Sequence, residues 1–219
     1  MLKKYKKTLI ITSIILLLPV LLGLFLWDQL PEQVPMHWNI EGEVDGWGSR
    51  AMLVFGLPAL LLAVQWFGCF VTLQDPKRKG ISEKSINLML WICPLIGLVC
   101  FSMTYAATMG LDVAIEIITP LLLGILFVII GNYMPKCKQN YSVGVKVPWT
   151  LNSEANWVAT HRFAGWVWVI GGIVILLTAP LGTFWISFVL MLPMAFAPII
   201  YSYLYFRKHE KGVSHDSEQ

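Results

Sequence analysis

The chain alternates between long apolar runs and polar connections. Six runs stand out: Thr8–Trp27, Ala51–Leu73, Ile86–Met109, Val113–Met134, Phe163–Ala179 and Thr183–Phe206. A helix that crosses the hydrocarbon core of a bilayer needs about 20 apolar residues, and each run meets or approaches that length. None of them shows the apolar–polar alternation of a transmembrane β-strand. The pattern predicts an all-α, polytopic membrane protein with six transmembrane helices.

The composition agrees with this interpretation. Of the 219 residues, 57% are apolar and only 13% are charged, whereas a soluble domain carries about 25% charged residues. The net charge of +3 does not indicate nucleic-acid binding, because the position of the basic residues matters more than their sum. We expect no direct contact with nucleic acid.

The basic residues predict the orientation in the membrane. Fifteen of the 16 Lys and Arg residues precede the first run, follow the sixth, or lie between the second and third or the fourth and fifth. Arg50 alone lies on the opposite side. The acidic residues on that side are Asp28, Glu32, Glu41, Glu43, Asp45, Asp112 and Glu116. Because cytoplasmic loops are enriched in Lys and Arg, we expect both termini in the cytoplasm.

The first run is expected to remain as a transmembrane helix. It follows the basic residues of MLKKYKK, as a signal peptide would, but it is longer than a typical signal-peptide core. It ends in Trp27-Asp28 with no small-x-small cleavage site.

Two long polar loops interrupt the helices and suggest a division of the chain. Residues 28–50 form the acidic loop, which we expect outside the cell, and residues 135–162 form the signature loop, which we expect in the cytoplasm. Each loop belongs to a predicted three-helix half, residues 1–109 and residues 110–219.

The acidic loop is rich in Pro and Gly, which favours turns and short extended pieces over a helix. Trp38 and Trp47 suit the headgroup layer, so we expect the loop to fold back onto the membrane surface. His37 and the neighbouring carboxylates lack the ligand spacing of a zinc site or a calcium loop. Four cysteines form no C-x-x-C pair. The sequence therefore predicts no metal site and no cofactor.

The signature loop combines restrictive backbone positions with the start of the fifth helix. Pro148 fixes its own φ and disfavours a helix at the residue before it. Asn152 or Ser153 is a good helix N-cap. His161 and Arg162 are candidates for contact with anionic lipid or a partner, and the alternative is ordinary anchoring of basic residues at the inner interface.

The apolar runs lack the chemistry of several membrane protein classes. No Asp, Glu, Lys, Arg or His lies near the centre of any run, although proton pumps, ion-coupled transporters and intramembrane proteases usually need such groups. Common hydrolase and nucleotide-binding motifs are also missing. We therefore predict that the chain is not an enzyme.

The signature loop and its flanks resemble the SdpI family of bacterial membrane proteins. The resemblance rests on G-N, then N-x-x-x-G-[IV]-[RK]-x-P-W-T, then W-x-x-T-H-[RK]-x-x-G. The matching residues are Gly131, Asn132, Asn140, Gly144, Lys146, Pro148, Trp149, Thr150, Trp157, Thr160, His161, Arg162 and Gly165. Lys146 stands where arginine is common, which removes a bidentate donor.

The acidic loop resembles a short domain of unknown function that often precedes this signature. The pattern is L-P-x-x-[VI]-P-x-H-[FW]-[ND]-x-x-G. The residues that carry it, with the next acidic position, are Leu30, Pro31, Val34, Pro35, His37, Trp38, Asn39, Gly42 and Asp45.

The resemblance implies a multi-pass protein of the bacterial cell membrane that protects its host from a membrane-active toxic peptide, a bacteriocin. It further implies signalling, in which a small cytoplasmic DNA-binding repressor is recruited to the membrane. A toxic peptide at the outer face, the repressor and membrane lipids are then the expected partners, and the matching residues of both loops are the candidate binding residues. Two alternatives stay open: a small transporter or lipid-handling protein, and a membrane enzyme that uses His161 and Arg162 on a lipid.

Overall fold

The computed structural model describes residues 2–210, and most of them are helical. The helices are α1 Leu2–Phe25, α2 Leu57–Gln74, α3 Glu83–Thr108, α4 Ile115–Tyr133, α5 Pro148–Asn152, α6 Glu154–Thr178 and α7 Phe184–His209. All except the short α5 are long and apolar enough to cross a membrane. The predicted six-helix fold class is confirmed. Lys211, one of the basic residues behind the predicted orientation, lies outside the described residues.

The fifth long helix, α6, begins at Glu154, well before the apolar run that predicted it. Ser153 is the N-cap, and its Oγ accepts a hydrogen bond from the backbone N–H of Asn156 at 3.2 Å. Glu154 lies in the first turn, where a carboxylate stabilises the positive end of the helix dipole. The predicted cap at Ser153 is confirmed, and the polar start of α6 belongs to the signature loop.

The chain forms two compact units. The first comprises residues 1–74 and 83–118, and the second comprises residues 75–82 and 119–219. The unit boundary thus falls within α4, and the connection between α2 and α3 clusters with the second unit.

In the first unit, the acidic loop contributes to a hydrophobic core with the helices. This core contains Leu30, Val34, Leu53, Val54, Phe101 and Tyr105. Within the helices, Gln65 Nε2 donates a hydrogen bond to Thr12 Oγ1 at 2.6 Å, and the Tyr105 hydroxyl donates to the carbonyl of Pro19 at 2.8 Å. The Gln65 amide nitrogen and the Tyr105 hydroxyl are thus paired across the helices, which offsets the cost of burying them, whereas Gln65 Oε1 is buried without a hydrogen-bond partner.

The extended pieces of the acidic loop are the strands of an antiparallel hairpin, β1 Gln33–Trp38 and β2 Val44–Ser49. The register pairs Gln33 with Ser49 and Val34 with Gly48, and it shifts on both sides of His37. The predicted turns and short extended pieces are therefore confirmed. That the loop lies on the membrane surface stays a prediction.

Candidate functional site

The tip of the acidic-loop hairpin is shaped by two of the predicted residues. Asn39 Oδ1 accepts hydrogen bonds from the backbone N–H groups of Glu41 and Glu43, at 3.0 and 2.9 Å. Gly42 has a φ of +83°, which an L side chain rarely adopts. These residues hold the turn, so the carboxylates of Glu41 and Glu43 point to an exposed surface.

The other predicted residues of this loop divide between packing and exposure. Pro35 is buried in β1, and Trp38 is half-buried. His37 and Asp45 are exposed and form a hydrogen bond across the hairpin, with 2.5 Å between Nδ1 and Oδ1. In the described part of the chain, no group of three or more His, Cys, Asp or Glu side chains is placed to hold a metal ion.

Arg50 secures the base of the same loop, a role that its charge alone did not reveal. Its guanidinium donates hydrogen bonds to the carbonyls of Trp27 and Leu30, at 3.0 and 3.2 Å. It also lies 4.6 Å from the centroid of the Trp27 ring, in cation–π contact. Sequence reasoning used Arg50 only for orientation. The available sequence signal was a single basic residue among the acidic residues of this loop.

The signature loop begins with a turn built by Asn140, which is fully buried. Its Oδ1 accepts from the backbone N–H groups of Ser142 and Val143, at 2.9 and 2.7 Å, and its Nδ2 donates to the carbonyl of Lys138 at 2.8 Å. An aspartate would lack the amide donor, and a glutamine would be too long for the turn. Asn140 is therefore a residue of loop structure.

His161 connects the start of α6 to the rest of the signature loop. Its side chain is 0% exposed. Nδ1 lies 2.8 Å from the carbonyl oxygen of Trp157, and Nε2 accepts the backbone N–H of Val145 at 3.1 Å. A carbonyl can only accept and a backbone N–H can only donate. The imidazole is therefore neutral, with its proton on Nδ1, and it bridges α6 to the loop.

Gly144 makes that bridge possible. A Cβ atom at Gly144 would lie 2.2 Å from His161 Nε2, and the φ of Gly144 is +120°. Both the space and the backbone conformation exclude other residues. The Gly144 and His161 positions of the signature are thus two halves of one contact.

The expectation that His161 touches lipid or a partner is wrong for this structure, because the side chain is fully buried and both ring nitrogens are occupied. The alternative of a membrane enzyme required a carboxylate beside His161. The hydrogen-bond partners of its ring are two backbone groups instead.

Three more signature residues complete the buried framework. Trp157 is 0% exposed, stacks on His161 with ring centroids 3.9 Å apart, and donates from Nε1 to the carbonyl of Cys137 at 2.8 Å. Thr150 donates from its hydroxyl to the carbonyl of Val145 at 2.8 Å. Thr160, also fully buried, donates to Asn156 Oδ1 at 2.9 Å.

Trp149 joins the loop to α7. Its Nε1 donates to Ser202 Oγ, and its ring stacks near Phe206 and Tyr203. Ser202 also accepts at its carbonyl from Asn156 Nδ2 at 3.0 Å. The start of α6, the short α5 and the end of α7 therefore form one hydrogen-bonded body.

Four signature residues face outward, whereas Gly131 and Gly165 are buried. Asn132, Lys146, Pro148 and Arg162 are exposed. Lys146 Nζ donates to the carbonyl of Ser142 at 3.0 Å, which leaves its charge at the surface. These four residues are the ones that a ligand can reach, whereas the buried residues hold them in position.

Asp75 is the main residue that sequence reasoning missed. It is 4% exposed, although it follows α2 in a basic connection. Its Oδ2 accepts from the backbone N–H of Tyr141 at 2.8 Å and from the Ser142 hydroxyl at 2.6 Å, and its Oδ1 accepts from the N–H of Lys77 at 2.7 Å. Burial alone raises the pKa of this carboxyl, but the hydrogen bonds outweigh burial, and the net pKa is lowered.

A second connection runs beside Asp75. Lys77 Nζ donates to Gln139 Oε1 and lies 5.4 Å from the Tyr141 ring centroid. Gln139 Nε2 in turn donates to the carbonyls of Thr150 and Leu151, at 2.8 and 2.9 Å. The α2–α3 connection is thereby tied to the end of α5. An acidic residue isolated among lysines was the only sequence signal for this cluster.

Both loops lie in regions of the chain that match known protein families. The model of the SdpI/YfhL protein family matches residues 136–202, and that of a domain of unknown function, DUF1648, matches residues 14–62. The chain is 30% identical over 167 residues to Immunity protein SdpI of Bacillus subtilis (strain 168), which covers 76% of this chain and 78% of that protein. No solved structure matches. The chain therefore belongs to the SdpI/YfhL family and is a multi-pass protein of the cell membrane.

Proposed function

We propose that this protein gives a bacterial cell resistance to a membrane-active toxic peptide. The observation that carries the proposal is the 30% identity to Immunity protein SdpI over 76% of the chain. The family is not a known enzyme family. The six spans place the protein where such a peptide acts.

The acidic loop is the proposed contact for the toxic peptide. Glu41, Glu43 and Asp45 are exposed around the hairpin tip, and the Trp47 side chain is 62% exposed on β2. Carboxylates beside an exposed aromatic ring complement a cationic, amphipathic peptide, because opposite charges steer the encounter and the ring supplies apolar area.

The signature loop is the proposed contact for a cytoplasmic partner, a small DNA-binding repressor. Lys146 and Pro148 are exposed, and the Tyr141 side chain is 47% exposed, on a loop that buried hydrogen bonds hold in one shape. A rigid surface with a charged and an aromatic residue supports specific recognition.

Asp75 is the proposed link between the two events. Residues 75–82 continue directly from α2 and lead into α3, and their Asp75 and Lys77 bind the signature loop. A displacement of these helix ends by a bound peptide would strain those hydrogen bonds. Coupling of this kind requires that peptide and repressor favour the same one of two states.

The first experiment measures protection. Cells that express the chain and cells with empty vector are exposed to a panel of membrane-active bacteriocins, and the inhibitory concentrations are compared. We expect a higher inhibitory concentration for at least one peptide when the chain is present. No protection against any member of the panel contradicts the immunity function.

The second experiment tests the contact. Charge reversal of the hairpin tip, Glu41→Lys with Glu43→Lys, is expected to lower protection at unchanged expression, because it repels a cationic peptide. Asp112→Lys is the matched control, since Asp112 is exposed between α3 and α4 and lies outside the acidic loop. If the charge-reversed hairpin variant protects cells as well as Asp112→Lys does, the hairpin tip is not the contact.

The third experiment addresses recruitment. Small DNA-binding proteins of the host are fused to a fluorescent protein, and one of them is expected to move to the membrane when the toxic peptide is present. Lys146→Glu should abolish that movement without loss of protein. Movement in the Lys146→Glu strain identical to that in the wild-type strain contradicts the proposed repressor surface.

A further inference from the structure

A groove of about 340 Å³ opens between the end of α4 and residues 162–169 of α6. Two glycines form its floor, because the helix backbones approach closely there. A Cβ atom at Gly165 would lie 2.8 Å from the carbonyl oxygen of Gly131, and one at Gly131 would lie 3.0 Å from that of Gly165. A larger side chain at either position would fill the groove or separate the helices.

One end of the groove is polar and positively charged. Arg162 and Asn132 line it, and both are exposed. Within residues 2–210, the guanidinium of Arg162 forms no hydrogen bond or ion pair. Its guanidinium offers five N–H donors and the Asn132 amide offers two. The groove therefore presents a positive charge and several donors that no acceptor of the described chain uses.

The other end of the groove is apolar. Trp166 is one turn further along α6 than Arg162, is 67% exposed and lines the groove together with Val169. The same helix face continues with the exposed Ile170 and Ile173, within a span apolar enough to cross a membrane. A Trp between a charged and an apolar stretch is typical of the membrane interface. The groove thus leads from the interface towards the hydrocarbon core.

We propose that this groove binds one anionic phospholipid, phosphatidylglycerol being the simplest example. The phosphate accepts hydrogen bonds from Arg162, and the glycerol headgroup lies within reach of the Asn132 amide. One acyl chain follows Trp166 and Val169. Guanidinium matches phosphate in charge and geometry, and basic pockets between transmembrane helices recognise anionic headgroups. The site does not depend on the immunity function.

The test uses the full chain in a mild detergent and native mass spectrometry. Phosphatidylglycerol and phosphatidylcholine with identical acyl chains are titrated separately, and the dissociation constant of the first bound lipid is measured. We expect tighter binding of phosphatidylglycerol. Arg162→Gln should weaken that binding about fivefold and leave phosphatidylcholine unchanged, because one basic side chain near an anionic surface contributes about 1 kcal/mol.

Arg207→Gln is the matched control. Arg207 is an exposed basic residue in the last turn of α7, so its loss removes the same charge away from the groove and should not change binding. Arg162→Lys keeps the charge but loses the planar fork, and an intermediate affinity is expected. Monodisperse elution of each variant verifies that it is folded.

A competition with glycerol phosphate distinguishes a lipid from a free phosphate. It carries the headgroup chemistry without acyl chains and should not displace phosphatidylglycerol at equal concentration. Three results overturn the proposal: unchanged affinity in Arg162→Gln, an equal loss in Arg207→Gln, or displacement by glycerol phosphate at equal concentration.

Discussion

Gly144 and His161 show how one contact accounts for two positions of the family signature. The imidazole accepts a backbone N–H from the residue after Gly144, and any side chain at Gly144 would enter the space of the ring. Both ring nitrogens of His161 form hydrogen bonds with backbone groups. Its role is therefore to fix the loop on α6. The residues available for binding are its exposed neighbours.

A substitution at Gly144 measures this contact. Gly144→Ala is expected to lower the free energy of unfolding by about 3 kcal/mol or more, since the left-handed backbone costs about 1–2 kcal/mol and the Cβ also collides with the ring. The measurement is thermal unfolding in detergent, followed by near-UV circular dichroism.

Gly182→Ala is the control for the backbone contribution. Gly182 also has a positive φ, +65°, but a Cβ there meets nothing within 4 Å. It belongs to the same compact unit, and it should lose only about 1–2 kcal/mol. Equal destabilisation by the two variants would mean that the contact with His161 contributes nothing.

The sequence predicts these residues unequally. Ser153 as a cap and Gly144 at a turn follow from local rules. The helical spacing of Trp157 and His161 predicts a shared face, but not what covers it. The cover is the backbone of the signature loop, which folds back through contacts distant along the chain, so no local pattern reports it.

At the level of elements, the α2–α3 connection is held by a buried carboxylate. Its hydrogen bonds offset the desolvation cost of its burial. Asp75 accepts from Lys77, Tyr141 and Ser142, and its pKa is below the ordinary value. A lowered pKa means that the folded state favours the ionised form. The stability that ionised Asp75 contributes to the folded state is present above the ordinary Asp pKa of about 4. It is lost as the pH falls through the folded-state pKa.

Asp75→Asn tests that role. The wild-type melting temperature should fall as the pH is lowered from the ordinary Asp pKa of about 4 through the lower folded-state pKa of Asp75, whereas Asp75→Asn should start lower and fall less. Ser142→Ala removes the hydrogen bond from the Ser142 hydroxyl to Asp75. It should lower the free energy of unfolding by about 1 kcal/mol. Glu154→Gln, which changes an exposed carboxylate, is the control for general acid effects. Parallel pH curves for Asp75→Asn and wild type would exclude Asp75 as the acid-sensitive group.

The six long helices are predictable because length and hydropathy alone decide them. The regular pairing of β1 and β2 is not predictable in this way. The acidic loop has five Gly and Pro residues from Pro31 to Gly48, and its strands are short. The hairpin is stabilised by contacts outside itself: Leu30 and Val34 pack with helix residues, and Arg50 binds the carbonyls at its base. Those contacts are tertiary, so strand propensity did not reveal them.

At the level of the whole molecule, the two loops belong to different compact units and carry opposite charge. Acidic residues surround one, and basic residues the other. With six spans, the loop after the first helix and the loop after the fourth lie on opposite sides of the membrane. A protein that meets a peptide on one side and a partner on the other needs this arrangement, and the charge pattern predicts which side each loop faces.

Cysteine labelling in intact cells tests the assignment. Glu41→Cys, at the tip of the hairpin, should react with a membrane-impermeant maleimide added outside, and Lys146→Cys should react only after the membrane is permeabilised. Both positions are exposed, so a difference between them reports the side of the membrane rather than burial. The unmodified chain, which contains four cysteines, gives the background. If Lys146→Cys reacts in intact cells while Glu41→Cys does not, the orientation is inverted, and the proposed toxin and repressor surfaces must exchange sides.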